Sequence, residues 1–333
     1  MILAGDFVPQ KADFSLPDFG DEIVLANLEG PICEDGLKPI EKVGIHLHTA
    51  PLELTGRWAF SLANNHLMDF RAEGLYQTVA YLKQRNIPFA GAGDNEMQAR
   101  RPMWIVEGGK QIAVISCCER QFGAADIKHP GVAVMGDWVP DLIRDVKKRE
   151  ADFVIVSCHR GSELSKFVSP RLVEIYHSYI EAGADVVHGH HAHVPQGWET
   201  YDGKPIFYGL GNFIVDAGNW QGDPNYLWSL IARMKFEGSK IAWTVEPIGR
   251  VPVTFDEYVK ECNAIFSDRD LLERRWRENC IKQYNKFYKP YLRISLRSLF
   301  GWFSRPRQQW LLQKCFSECE THKDIIATAE RGS

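Results

Sequence analysis

No apolar run in the 333-residue sequence approaches the roughly 18 residues that cross a bilayer, so no spanning helix is expected. Charge of one sign is also lacking. The 39 Lys and Arg against 43 Asp and Glu leave a net charge of −4, which excludes the broad basic surface of a nucleic-acid binder. The eight cysteines are scattered without the paired C-x-x-C spacing of a zinc knuckle, and read as reduced thiols filling small apolar spaces. The opening MILAGDF has no basic region ahead of an apolar stretch, which points to a cytoplasmic start. At 45% apolar and 25% charged residues, the chain has the composition of a packed domain, and disorder, collagen and coiled coil are set aside.

Up to about residue 250, short apolar runs alternate with amphipathic stretches. ILAGDFV, EIVLANLEG, WAFSLANNH, IPFAGAG, QIAVISCC, DFVIVSCHRG, DVVHGHH and IFYGLGNF read as buried strands ended by polar residues or glycine. Residues 72–85, 139–150 and 169–182 place apolar side chains three and four apart, the spacing of one helix face. Such alternation predicts an α/β domain. WIVEGGKQIAVI and LIARMKFEGSKIAWTVEPI each set glycine and polar residues between two strand-like runs and predict hairpins.

The polar residues fall where these strands stop. Asp6, Glu29, Asn65, His66, His159, His190 and Asn212 lie at or just past predicted strand ends, where open α/β sheets gather ligand-binding groups. HGHHAHV supplies His188, His190, His191 and His193, and neutral imidazole is a common metal ligand. Strand alternation lets His191 and His193 share a face, with His190 turned away or brought round by a loop. An acid closing an apolar strand is costly to bury unless solvated, paired or metal-bound, which makes Asp6 and Glu29 candidate ligands rather than simple turn residues. In LANNHLMD the Asn65 carboxamide is a hard ligand and His66 a proton carrier beside it; an N-cap role for Asn64 or Asn65 is the plainer alternative. SCHRGSE adds His159 as a ligand, Glu163 as a group that orients it or a bound water, and Arg160 as a clamp for an anionic oxygen or a surface ion pair. His129 and His177 stand alone and read as structural, while Cys315, Cys319 and His322 could hold a metal but more simply share a helix face.

In their order, GDF, NLEGPI, SLANNHLMD, FAGAG, HRGSE, GHHAHVPQ and GKPIFYGLGNFIVD resemble the bacterial capsule synthesis CapA family (PGA_cap domain), across about residues 2–250. That family looks like a branch of the calcineurin-like metallophosphoesterases. The resemblance implies a four-layer α/β/β/α sandwich over residues 1–250 and a helical C-terminal extension over 251–333. It also implies two divalent ions (Mn, Zn or Fe) held by Asp6, Glu29, Asn65, His159, His193 and either His190 or His191, with His66 protonating a leaving oxygen or steadying the transition state; the roles of Arg160 and Glu163 at the substrate rest on SCHRGSE itself. Three positions depart from the pattern: Val8 replaces a first-motif histidine, Glu29 replaces a bridging aspartate, and Arg160 replaces an aromatic.

The function implied is a metal-dependent hydrolase or transferase in capsule or cell-surface polymer biosynthesis, acting on an anionic polymer or a phosphoester. Its rival is a catalytically silent, metal-binding scaffold for the polymer or its enzymes. Between Arg274 and Lys314, eleven Lys and Arg stand against one acid and are interleaved with nine aromatics, among them Trp276, Tyr288, Trp302 and Trp310. Such a segment suits peripheral contact with an anionic membrane at the inner face, with SLFGWFSR as the insertion point, or cover for the core with its basic groups in water.

Overall fold

The computed structural model of the chain describes residues 1–9, 17–42, 44–49, 53–149, 151–215, 227–289 and 306–331. Two sheets face each other. In the first, β1 (Ile2–Val8), β2 (Ile23–Leu28), β3 (Arg57–Ser61) and β4 (Phe89–Ala90) run parallel in that order. On the other flank of β1 lies the hairpin of β14 (Trp228–Glu237) and β15 (Lys240–Gly249), and β13 (Asn212–Val215) pairs parallel with the second half of β1. The second sheet has a parallel centre of β7 (Lys110–Cys118), β9 (Phe153–His159), β10 (Val186–His190) and β12 (Lys204–Leu210). Antiparallel edges close it: β6 (Met103–Glu107) hairpins onto β7, and β11 (Pro195–Tyr201) onto β12. A small pair, β5 (Ala92–Gly93) and β8 (Gly131–Val132), completes the strands among the described residues.

Side-chain alternation explains why apolar runs without polar interruption were needed. In β9, Phe153 and Ile155 face the other sheet, while Val154, Val156 and Cys158 face the outer helices. Strands covered on both sides read as continuous hydrophobic sequence. The inter-sheet core joins Leu3, Leu25 and Ala59 to Val114, Ile155 and Phe207, and Phe153 meets Phe236 with ring centroids 4.9 Å apart. Helix α1 (Arg71–Gln84) buries Leu75 and Leu82 on the outer face of the first sheet, and the short α2 (Glu96–Ala99) sits beside β5. Helices α3 (Trp138–Arg149) and α4 (Pro170–Glu181) cover the second. Helix α4 starts where the Ser169 hydroxyl accepts from the Leu172 amide at 3.1 Å with Pro170 in the first turn, and buries Leu172, Val173, Tyr176, Tyr179 and Ile180 as one stripe. The result is the four-layer α/β/β/α sandwich that the sequence resemblance implies, with both predicted hairpins and all three predicted helices in place.

After β15 the described chain is helical. Helix α5 (Phe255–Ala264) lies along β11, α6 (Arg269–Gln283) runs on into a π-helical turn (Tyr284–Tyr288), and α7 (Pro306–Glu318) leads to α8 (Glu320–Arg331). Trp276, Cys280, Tyr288, Ile325 and Ala329 form a core of their own between α6, the π-turn and α8. The described aromatics of the basic segment thus divide: Trp276 and Tyr288 are buried, and Trp310 is 57% exposed. SLFGWFSR, at 298–305, lies outside the described residues.

Candidate metal centre

Backbone proximity brings the two sheets to one point. A Cβ on Gly5 would lie 1.8 Å from the carbonyl oxygen of Gly211, so only glycine lets β1 run beside the end of β12. The Asp6 amide then donates to that same carbonyl at 3.0 Å. Asp6 and Glu29 reach the site from the first sheet, and His159 and His190 from the ends of β9 and β10, where they are register partners. Beyond β10 the chain leaves strand geometry: His191 and His193 have φ of 87° and 59°, the left-handed region that non-glycine residues rarely enter. Their shared direction therefore comes from a strained loop and not from the strand alternation expected for them.

Two ligand sets result. Asp6, Glu29 and His159 offer atoms within 4.8 Å of one another, as do Glu29, His191 and His193, so Glu29 belongs to both. Glu29 Oε1 lies 3.6 Å from His159 Nε2 and 3.6 Å from His193 Nε2. Asp6 reaches His193 Nδ1 at 3.3 Å and His190 Nδ1 at 3.5 Å. The carboxamide oxygens complete the ring: Asn65 Oδ1 is 2.9 Å from His159 Nε2, and Asn212 Oδ1 is 3.0 Å from His193 Nδ1. Between the two registers left open by the sequence, His191 joins His193 and Glu29, while His190 sits beside Asp6 with its Nε2 3.1 Å from Ser157 Oγ. His188 points elsewhere, to the Ala4 carbonyl.

Glu29 is fully buried, and neither carboxylate oxygen has a hydrogen-bond partner. A bare buried carboxylate is costly, and divalent cations on its two oxygens would remove that cost. The donor set of carboxylates, imidazoles and carboxamides fits Mn, Fe or Zn. Electrostatics agree. Burial pushes the Glu29 carboxyl well above the usual range, against the attraction of His193. Burial would also raise Asp6, but hydrogen bonds from His190 and His193 outweigh it and hold the group well below its ordinary value. Burial and the neighbouring His191 keep His159 neutral, and burial with His193 brings His191 down to about 3. His193 goes the other way: against burial, Glu29 and Asp6 raise it to about 10. One proton on His193 thus stands in for the positive charge that the carboxylates require.

Partners that the sequence reading did not single out brace this ring. Asn27 Nδ2 donates to Asp6 Oδ1 at 2.7 Å, lies 3.1 Å from His159 Nδ1, and is itself held through its oxygen by Asn64. The neighbouring Asn64 carboxamide caps the next turn, accepting from the amides of His66 and Leu67, which is the structural role weighed for it. His66 Nδ1 is 2.7 Å from Asp69 Oδ2, and Lys42, whose side chain is 1% exposed, pairs with the other Asp69 oxygen. Burial and Lys42 lower His66 to about 4, so its imidazole is neutral with Nε2 left for a ligand. Gln121 bridges Asn65 and His191. Lys42 and Gln121 stand in loops where nothing local distinguishes them from solvated polar residues.

The centre opens on a cavity of about 390 Å³ lined by Lys42, Asn65, His66, His191, His193 and Glu163 on one side and by the C-terminal helices on the other. Glu163 Oε1 is 3.9 Å from His191 Nε2, within reach of the orienting role expected of it. Arg160 is not brought to the cavity: its guanidinium lies 3.2 Å from Glu320 and 3.8 Å from Glu119. Successive strand residues point to opposite sides, so with His159 facing the carboxylates Arg160 must face away. It ties the second sheet to α8. Glu119 binds there too, accepting from the Thr321 amide and hydroxyl at 2.6 Å each. Cys315, Cys319 and His322 form no ligand group among the described residues, and His322 Nδ1 instead meets the Tyr288 hydroxyl at 2.6 Å. His129 and His177 pair with Asp126 and Glu199, as structural histidines.

Residues 18–217 match the family described as bacterial capsule synthesis protein PGA_cap. The capsule biosynthesis protein CapA of Bacillus anthracis is 30% identical over 213 residues, covering 59% of this chain and 51% of that protein. A Mycobacterium tuberculosis protein named as a probable polyglutamine synthesis accessory protein is 34% identical over 219 residues, or 60% of this chain and 57% of its own. The chain thus spans about half the length of the curated relatives it matches. Similar solved structures include a 5′-nucleotidase precursor of Thermus thermophilus (13% identity, TM-score 0.37, 64% of this chain and 43% of that one) and the calcineurin-like phosphoesterase YfkN of Bacillus subtilis (12%, TM-score 0.34, 66% and 71%). The family match covers well over half of the chain and takes in Glu29, Asn65, His66, His159 and the 190–193 histidines, so the chain belongs to the bacterial capsule synthesis protein PGA_cap family.

Proposed function

We propose that the chain is a metal-dependent phosphoester hydrolase or transferase serving the biosynthesis of a cell-surface polymer, working through a pair of divalent cations. The observation that carries this reading is Glu29: fully buried, without a hydrogen bond on either oxygen, and common to both ligand sets. Asp6 and His159 would hold one cation, His191 and His193 the other, and the Asn65 and Asn212 carboxamides stand beside each set. Bound there, the pair would supply Lewis-acid polarisation of the ester and activation of a water.

The chain's own groups do the remaining work. His66 lines the cavity next to Asn65, and Asp69 fixes its ring through Nδ1. With Nδ1 engaged, Nε2 faces the bound ester and exchanges a proton or hydrogen bond with it. Lys42 adds positive charge at the same wall for an anionic head. Helices of the C-terminal extension line the opposite wall of the cavity.

A specific departure favours the silent scaffold as second reading. Val8 stands where the resemblance expects a histidine, and it is fully buried. Turnover decides. With added Mn²⁺, the wild type is expected to cleave a generic phosphomonoester or phosphodiester, and His66→Ala to lose about 10²–10⁴-fold in rate at unchanged metal content. Equal rates in both proteins would leave the scaffold. Glu29→Gln is expected to lose stoichiometric metal by elemental analysis, and full retention would refute the shared-carboxylate assignment.

A further inference from the structure

The cavity has two unlike walls, and the second says what kind of ester it takes. The metal-side wall is polar and charged. Opposite it stand Tyr288, Leu312, Phe316 and Ile325 from the C-terminal helices, with Ile45 near the rim. Polar groups do occur in that wall, and several of their atoms are already engaged. Gln283 Nε2 donates to the Glu163 carbonyl at 2.8 Å, Thr321 Oγ1 donates to Glu119 at 2.6 Å, and Tyr288 and His322 hydrogen-bond each other at 2.6 Å. The ring of Phe316 packs on Tyr288 at 4.9 Å and on His322 at 5.5 Å, which fixes an aromatic surface rather than a mobile one.

A sugar hydroxyl or a glutamate carboxylate placed against Leu312, Phe316 and Ile325 would lose its water without gaining a partner from them, which costs more than the contact returns. An apolar group placed there gains by leaving water. We infer that the cavity binds a phosphoester whose alcohol part is apolar, with the phosphate at the metal-side wall and an aryl or alkyl body against Phe316 and Leu312, and not a stretch of the anionic polymer itself. The inference rests on the phosphoester reading above and names its substrate class. The volume of about 390 Å³ suits a small head with one such body.

The test uses the full chain loaded with Mn²⁺ and three non-hydrolysable probes in calorimetry: methylphosphonate, 1-naphthylmethylphosphonate and octylphosphonate. The naphthyl or the octyl probe is expected to bind about tenfold or more tightly than methylphosphonate, and whichever gains identifies the body as aryl or alkyl. Phe316→Ala is expected to bring that ratio toward one. Because Phe316 also packs the C-terminal core, Ile45→Asn, at a half-exposed position on the other side of the rim, provides a second variant with the same expected loss. Equal affinities for all three probes in the wild type overturn the inference while leaving the phosphoester reading intact. So does an unchanged ratio in both variants, or displacement of methylphosphonate by oligoglutamate as effective as by the naphthyl probe. If no phosphonate binds the metal-loaded chain, the phosphoester reading falls and the inference with it.

Discussion

His193 carries the charge balance of the metal-free site. Its pKa of about 10 reflects the pull of Glu29 and Asp6, which outweighs burial. A metal ion must displace that proton, because only neutral imidazole donates a lone pair. Below that pKa affinity is therefore expected to rise with pH, by up to about tenfold per unit for each proton released, the raised Glu29 carboxyl adding to the His193 proton. Calorimetry in two buffers of different ionisation enthalpy measures that release. Lys42 offers a second test. It is a secondary cause of the low His66 pKa, behind burial, so Lys42→Met should move His66 up from about 4 without restoring the ordinary value. NMR titration of the metal-free protein reads this directly, and a downward shift would contradict the placement of Lys42. At this scale the residues that the structure gathers, Asp6, Glu29, His159 and the 190–193 histidines, were legible because polar residues ending apolar strands have few roles. Lys42, Asn27 and Gln121 were not, since each is defined only by partners remote in sequence. Of the two roles open to Arg160, the ion pair is the one its geometry shows, with Glu119 and Glu320.

Among elements, most strands and both hairpins could be read from apolar continuity and glycine placement, and α4 from its apolar stripe; β8 and β11 were not read, and IPFAGAG, read as one strand, divides into β4 and β5 in different sheets. The C-terminal helices show the limit. Their composition marked them as a different surface, but what they pack on depends on the Glu119–Thr321 and Arg160–Glu320 contacts, which no local pattern announces. The Glu119 carboxylate takes both hydrogen-bonding groups of Thr321 in a buried setting, so Thr321→Val is expected to cost about 1–3 kcal/mol. Faster amide exchange confined to α8 would locate that loss, and unchanged exchange would show that the clamp does not hold the helix.

For the whole molecule, the inter-sheet core places both ligand sets on one frame, and cations that bind only the folded state stabilise it by mass action. At free metal about 100 times Kd, unfolding is expected to become harder by about 2.7 kcal/mol, seen as a rise in Tm that EDTA reverses. The same titration on Asp6→Ala should show a smaller rise. Among the described residues no helix is long and apolar enough to cross a membrane.

The site draws on positions from Asp6 to His193, and this spread fixes an order of events during synthesis. Leaving the ribosome first, Asp6 and Glu29 remain two carboxylates with no imidazole to complete them until His159 and then the 190–193 loop follow. A nascent chain halted short of His193 should therefore pass through an immobilised-cation resin without the selective retention of the finished one. If the centre holds cations as proposed, translation must proceed past that loop before one can be captured, and prematurely terminated products would not draw on the cell's supply of the metal.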